Sequence, residues 1–396
     1  MTEPAIALKT SNTSAPKDAG ELSLQLDGET AVFCFSADAL TARAKLFNTG
    51  FKGLVTFAVK SNPSREVAST LAAAGLKAWD VASVQEMELV SGIQKDARFH
   101  YHNPIKSLRE ITRAYNEFNC RRFCIDCKEE LAKIVSVAGS DRNIEIAVRI
   151  VLPRDRGASA HDFSTKFGAP EHIALELLKK VKALGFTPLI TFHPGSQTKD
   201  PQVYARHIEA AARISKQADV EITKLNVGGG FPADYEYSKA PEPDVYFRAI
   251  EIARDQHFAG RTLPALECEP GRGLVAGCMS LLTNVKLVCS DGDDIFINDG
   301  VYGGLMEYMQ VPELKPPTRV IRKGKVHNGQ VKSWKVFGPT CDPLDVLPHR
   351  LDLSADLKDG DFIEFGMLGA YGISTLTKFN GYGQNLVMPV GKVLQS

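Results

Sequence analysis

From about residue 50 to residue 275 the chain repeats one pattern, a short apolar β-prone run followed by an amphipathic helical segment. The runs are LVTFAVK, KAWDVAS, ARFHYHN, RRFCID, IEIAVRIVL, TPLITFHPGS, TKLNVGGGFP and ALECEPG. Between them lie segments such as REVASTLAAAG, SLREITRAYNEF, KEELAKIVSVAG, EHIALELLKKVKALG and DPQVYARHIEAAARISKQ. Several of these end at Gly, a common helix stop. Eight strand signals with helices between them predict an α/β protein built on a (β/α)8 barrel of the TIM type. An open doubly wound sheet is the alternative, but eight units is the barrel count.

After about residue 276 the helical pattern stops. LLTNVKLVC, DIFINDG, TRVIRKG, KSWKVFGPT and DFIEFGM are β-rich and separated by turn signals, and the early run TAVFCFS has the same character. The expected layout is a disordered leader (1–25), a barrel (38–276) and a β-rich domain formed by 26–37 with 277–396. The polar start MTEPAIALKTSNTSAPKDAGE has no apolar core, so no secretory signal is expected. Lys+Arg and Asp+Glu are each 47, which implies no basic face and argues against a nucleic-acid partner. No apolar stretch is long enough to span a bilayer. Eight scattered cysteines read as reduced cytoplasmic thiols. Cys120, Cys124 and Cys127 cluster downstream of His100 and His102. Cys124 falls inside a strand-like run, however, so core packing is preferred to zinc, and no metal is expected.

Barrels of this kind carry their chemistry at the C-terminal ends of the strands. Lys60 ends the first run, Asp80 the second, and Asn103 follows the third. Arg149 lies in the fifth, His193 and Ser196 end the sixth, and Gly228, Gly229 and Gly230 end the seventh. Glu267, Glu269, Gly271 and Arg272 close the eighth. Successive glycine amides can fold round a phosphate, although a tight turn explains three glycines equally well. A guanidinium pairs naturally with phosphate; a carboxylate facing a pyridine nitrogen keeps it protonated; a flat His193 ring can stack on a planar cofactor. A structural ion pair and a core histidine are the plain readings of the same residues. Together the parts describe a pyridoxal 5'-phosphate site, with Lys60 as the amine that bonds the cofactor.

In AVKSN, WDVAS, VRI, STKFGA, FHPGSQ, NVGGGFP, EPGR, NDGVYGG, GPTCDPLD and GAYGIST, the chain resembles the fold-type III pyridoxal-phosphate decarboxylases of the ornithine and diaminopimelate decarboxylase family. The resemblance covers nearly everything after residue 30. It implies that Lys60 is the cofactor-linking lysine, with Asp80 and Glu86 as acidic neighbours and Arg149 approaching the cofactor. It implies ring stacking by His193, phosphate contacts from Ser196, Gly228 to Gly230, Gly271, Arg272 and Tyr371, and pairing of Glu269 with the pyridine nitrogen. It implies that Cys341 returns a proton to the substrate carbon and that Asp342, with Tyr302 and Phe379, binds the substrate's far end. GPTCDPLD is expected to enter the neighbouring subunit's site, making a homodimer with shared sites, and Lys166 with Asp345 is expected to bridge subunits.

The T-C-D form resembles the ornithine and lysine branch rather than the diaminopimelate branch. The implied activity is decarboxylation of ornithine to putrescine or lysine to cadaverine, in polyamine-type metabolism. One departure is Gln310-Val311 where close ornithine decarboxylases carry Tyr-Asp; Glu307 or Glu313 is the candidate replacement. Pro343 also replaces a glycine. A racemase on this fold would need a second base and would not use T-C-D. A non-catalytic regulator would be expected to lose Lys60, Cys341 or the phosphate groups, and all are present.

Overall fold

The computed structural model describes residues 14–152, 166–384 and 386–395. They form two compact units, one of Ala44–Pro232 with Ala240–Leu274, the other of Met1–Arg43, Ala233–Lys239 and Val275–Ser396. Residues 1–13 of the expected leader, and Ser164 and Thr165 of STKFGA, lie outside the described residues.

The first unit is a parallel barrel. Its strands are Gly53–Val55, Phe57–Ala58, Ala78–Val81, Arg98–Tyr101, Arg122–Ile125, Glu145–Arg149, Thr187–Thr191, Lys224–Asn226 and Ala265–Cys268. Nine segments appear where eight runs were expected because the first run breaks at Thr56. The Thr56 amide donates to the Cys268 carbonyl at 2.9 Å and its hydroxyl to the same oxygen at 3.1 Å. Gly53–Val55 pairs with Ala265–Cys268, and Phe57–Ala58 pairs with Ala78–Val81. One run therefore supplies both ends of the sheet and closes the ring, which removes the open-sheet alternative. Serine caps start the helices Arg65–Ala73, Val84–Ser91 and Leu108–Glu117, the last with a full capping box between Ser107 and Glu110.

Strand alternation sorts the barrel side chains into layers. Cys124, Ala147 and Leu189 pack as a buried cluster from three neighbouring strands. On one side of them Arg122 pairs with Glu145 and Glu267, and its Nη1 lies 3.2 Å from His100 Nδ1. Glu267, expected at the rim, is thus an interior ion-pair partner. The Cys120 thiol donates to the carbonyls of Phe99 and Arg122. Cys120 and Cys124 are buried in the packing of the barrel, and Cys127 is half-buried.

The second unit is a nine-stranded mixed sheet. Val32–Phe35 pairs antiparallel with Met279–Val288, in register Val32 to Leu282, so the N-terminal strand joins the β-rich sheet as expected. Two expectations need correction. Residues 14–25 are not a loose leader: the helix Ala19–Ser23, capped by Asp18, buries Ala19 and Leu22 against Val32, Leu282 and Ile321. Helices also persist after residue 276, as the short Met306–Gln310 and Gly372–Thr375. Ala233–Lys239, placed in the barrel by sequence, groups with this unit, where buried Lys315 donates to the Tyr237 hydroxyl at 3.0 Å.

Candidate active site

The barrel unit gathers one set of candidate residues. Lys60 sits just past its strand, in the short 3-10 turn Val59–Ser61. Its Nζ lies 3.9 Å from Asp80 Oδ2, with the lysine side chain 45% exposed and that of Asp80 5%. Burial pushes the Asp80 carboxyl up to about 7; nearby Glu269 adds to the rise and Lys60 opposes it. Glu86 turns back to accept from the Ala82 amide at 2.7 Å, so part of its role is to fasten the start of its own helix. Burial of the His193 ring, with Lys60 and Arg149 near, holds it well below the usual histidine range and therefore neutral. Its Nδ1 accepts from the Gly195 amide at 3.1 Å, leaving the proton on Nε2.

Glu269 is the hub. Its Oε1 accepts from Asn226 Nδ2 at 2.6 Å and is hydrogen-bonded to His102 Nδ1. Burial alone would raise this carboxyl, but His102 first and then Lys60 outweigh it and hold Glu269 at about 2. Asn226 also accepts from the Gly228 amide at 2.8 Å through Oδ1, which ties Glu269 to the glycine loop. The sequence reading passed over both His102 and Asn226. Asn226 was visible as the residue two before Gly228; His102 was considered only as a metal ligand. Asp80, His102 and Glu269 are the one group among the described residues whose donor atoms could share a metal ion.

The glycine loop is built for close approach. Gly228 has φ +69°, and a Cβ there would lie 2.1 Å from the Phe192 carbonyl. A Cβ on Gly229 would meet the Glu269 carbonyl at 2.7 Å and His193 Nε2 at 3.2 Å. Gly230 adopts φ +87°. Only glycine fits this turn, and the loop brings backbone, His193 and Glu269 together. Ser196 and Arg272 are buried in the same unit, and Gly271 packs against Ser61, beside Lys60. Arg149 lies 5.4 Å from the Phe167 ring.

The β-rich unit holds a second set. The Tyr302 hydroxyl donates to Asp342 Oδ2 at 2.6 Å, and the Tyr302 and Phe379 rings sit 4.9 Å apart. That hydroxyl, with the Leu344 amide, holds the Asp342 carboxyl below its ordinary range and so anionic. Cys341 is exposed, and its amide donates to Asn380 Oδ1 at 3.2 Å. Asn380, at φ +52°, carried no sequence signal. Asp345 is buried and accepts from the amides of Val301 and Thr340 and from the Thr340 hydroxyl. It organises its own loop instead of standing open for a bridge, while Lys166 lies 5.0 Å from the Phe167 ring. Tyr371, placed with the phosphate by resemblance, is in this unit at φ +58°. Gln310 is exposed at the end of its helix, Glu307 is buried and Glu313 is exposed.

Comparisons with known proteins show the family. The family model "Pyridoxal-dependent decarboxylase, pyridoxal binding domain" matches residues 37–276. A lysine/ornithine decarboxylase of Selenomonas ruminantium is 32% identical over 83% of this chain and 81% of its own length. Ornithine decarboxylase of Mus musculus is 30% identical (82% and 73%), and antizyme inhibitor 2 of Xenopus laevis 31% (84% and 74%). Among solved structures, lysine decarboxylase of Selenomonas ruminantium superposes with a TM-score of 0.81 at 27% identity, covering 96% of this chain and 97% of that one. Lysine/ornithine decarboxylase of Vibrio vulnificus, solved with putrescine, gives 0.80 at 25% (93% and 96%). A glycine cradle, a buried carboxylate hub and a lysine beside them, on a barrel that this family model spans, have one consistent reading: the chain belongs to the pyridoxal-dependent decarboxylases.

Proposed function

We propose that the chain decarboxylates a basic L-amino acid, ornithine first and lysine second, using pyridoxal 5'-phosphate held by the barrel unit. The observation that carries the substrate class is the Tyr302–Asp342–Phe379 group, an anionic carboxylate beside two aromatic rings and one residue from Cys341. An anionic carboxylate of this kind suits a cationic group, which it can meet with a charge-assisted hydrogen bond. The relatives named for ornithine and lysine support the same reading.

The residues present fit the cofactor. The glycine turn would clash with any side chain, and a phosphate brought against it would be held by the Gly229 and Gly230 amides together with Ser196 and Arg272. His193 presents a neutral ring over Gly229, suited to stacking. Glu269 is held as an anion and can keep a ring nitrogen protonated. When bound, the cofactor supplies the electron sink for the carbon that loses carbon dioxide. With the cofactor in place Lys60 would hold it covalently, with Asp80 3.9 Å from its Nζ, and Cys341 Sγ would supply the proton that replaces the carboxylate. Cys341 is exposed and belongs to the other unit from Lys60, which supports a homodimer in which a second copy supplies the thiol. All eight cysteines are free, in keeping with a reducing cytoplasmic setting that preserves this thiol.

One relative bears the name of an inhibitor, so family membership leaves activity to the site itself. Here Lys60, Cys341 and Arg272 are in place. The test is carbon dioxide release from a panel of ornithine, lysine, arginine, diaminobutyrate and diaminopimelate, with Lys60→Ala as the inactive control. Ornithine and lysine should lead, and Asp342→Asn should raise their KM by about tenfold or more, the worth of one charge-assisted hydrogen bond. A preference for a neutral or dicarboxylic amino acid overturns the substrate class.

A further inference from the structure

We propose that His102 is a positioning residue for the cofactor's ring nitrogen, acting through Glu269. This rests on the reading that Glu269 faces that nitrogen. His102 Nδ1 and Asn226 Nδ2 both bind Oε1 of Glu269. Both contacts fall on the one oxygen, which is thereby held from two sides, and in this reading the other oxygen faces the ring. The acceptor is a carboxylate, so His102 Nδ1 carries the donating N–H. His102 follows the strand Arg98–Tyr101, and its amide is fixed to the Val81 carbonyl at 3.1 Å. Its ring stacks on His100 at 5.5 Å and 30°. The imidazole therefore has little freedom to swing away.

Packing alone does not account for this histidine. Its Nε2 is buried with no hydrogen-bond partner among the described residues. An apolar side chain would fill the same space without leaving a polar atom unsatisfied. The electrostatic setting supplies the reason for its presence. Asp80 and Glu269 are two buried carboxylates whose oxygens lie within 4.8 Å of each other and of a His102 nitrogen. Two such groups would share a proton if nothing lay between them. Lys60 stands on the Asp80 side. His193 and His100 are both held neutral by burial and neighbouring cations, so neither ring offers a competing charge. His102 is the donor that settles the pair, with Glu269 ionised and Asp80 taking up the proton.

The experiment compares His102→Ala and His102→Asn with the wild type by two readouts. One is the dissociation constant of pyridoxal phosphate for the apoprotein; the other is the dependence of that constant on pH. His102→Ala should weaken cofactor binding about tenfold, the loss of one hydrogen bond to a charged group. The pH below which affinity falls should rise by about one unit, since Glu269 then protonates more readily. The amide of Asn can donate from the place of Nδ1, so His102→Asn should recover most of the affinity. Should His102→Ala fail to fold, His102→Leu takes its place. Folded variants that match the wild type in affinity and acid limb overturn the inference, as does an Asn variant that fails as badly as Ala or Leu. A wild type that binds no cofactor at all sinks the proposed function instead.

Discussion

At the scale of single residues, the site separates two carboxylates by environment. Asp80 is raised to about 7 by burial and by Glu269, and Glu269 is held at about 2 by His102 and Lys60 against its own burial. The consequences for stability have opposite signs. Asp80 binds its proton more tightly folded than unfolded, so it costs nothing below its unfolded pKa and its full amount above about pH 7. Glu269 adds stability that is present above its unfolded pKa and lost as pH falls toward 2. Apo Asp80→Asn should therefore gain on apo wild type by about 2–4 kcal/mol as pH rises from 4 to 8. Urea titrations at the two pH values check this, and an unchanging difference rejects it. Gly228→Ala places a Cβ at φ +69° and 2.1 Å from the Phe192 carbonyl. The backbone strain alone should cost about 1–3 kcal/mol, with a marked loss of cofactor affinity; an Ala variant with wild-type melting and binding would contradict the cradle.

At the scale of elements, a buried lysine pins the segment that carries His102 and Asn103 to the next helix. Lys106 Nζ lies 3.0 Å from Glu130 of the helix Lys128–Ala138. It also donates to the carbonyls of Asn103 at 2.8 Å and Cys124 at 2.7 Å. Burial pulls the lysine pKa down, and Glu130 is the main group opposing that. Removing one partner strands a charge, whereas removing both need not. Glu130→Ala should lose about 3–5 kcal/mol, and Lys106→Met with Glu130→Leu should lose clearly less. Thermal unfolding of the three variants decides between this and a pair that merely adds its two halves. In the sequence this lysine sits between Ile105 and Ser107 with no sign that it is buried.

At the scale of the whole molecule, the candidate residues are divided between two units. Lys60, Asp80, His193, Glu269 and Arg272 belong to the barrel unit; Tyr302, Cys341, Asp342 and Phe379 belong to the β-rich unit. Part of the second set is open to solvent in the single chain: Phe379 is 41% exposed and Cys341 is exposed, and the nearby Leu344 is 64% exposed. An exposed leucine beside a candidate proton donor is what a subunit contact would cover. Mixing Lys60→Ala with Cys341→Ala chains should restore roughly a quarter of wild-type activity, since half of the randomly paired dimers are hybrids with one intact site. No recovery, with subunit exchange shown by mass, counts against the shared site.

Much of this was legible along the chain. The barrel follows from eight apolar runs spaced by amphipathic segments, because period and punctuation are local properties. The glycine turn, Lys60 and the T-C-D segment were legible because each concentrates unusual residues in a few positions. Tertiary structure alone decided the rest. The break at Thr56 depends on a carbonyl 212 residues away. The burial of Ala19 and Leu22 depends on strands from the far end of the chain. Glu267 and Glu269 look alike in sequence, yet one meets Arg122 and the other His102. Strand alternation places both on one face, and only the closing of the barrel sets which partners each will meet.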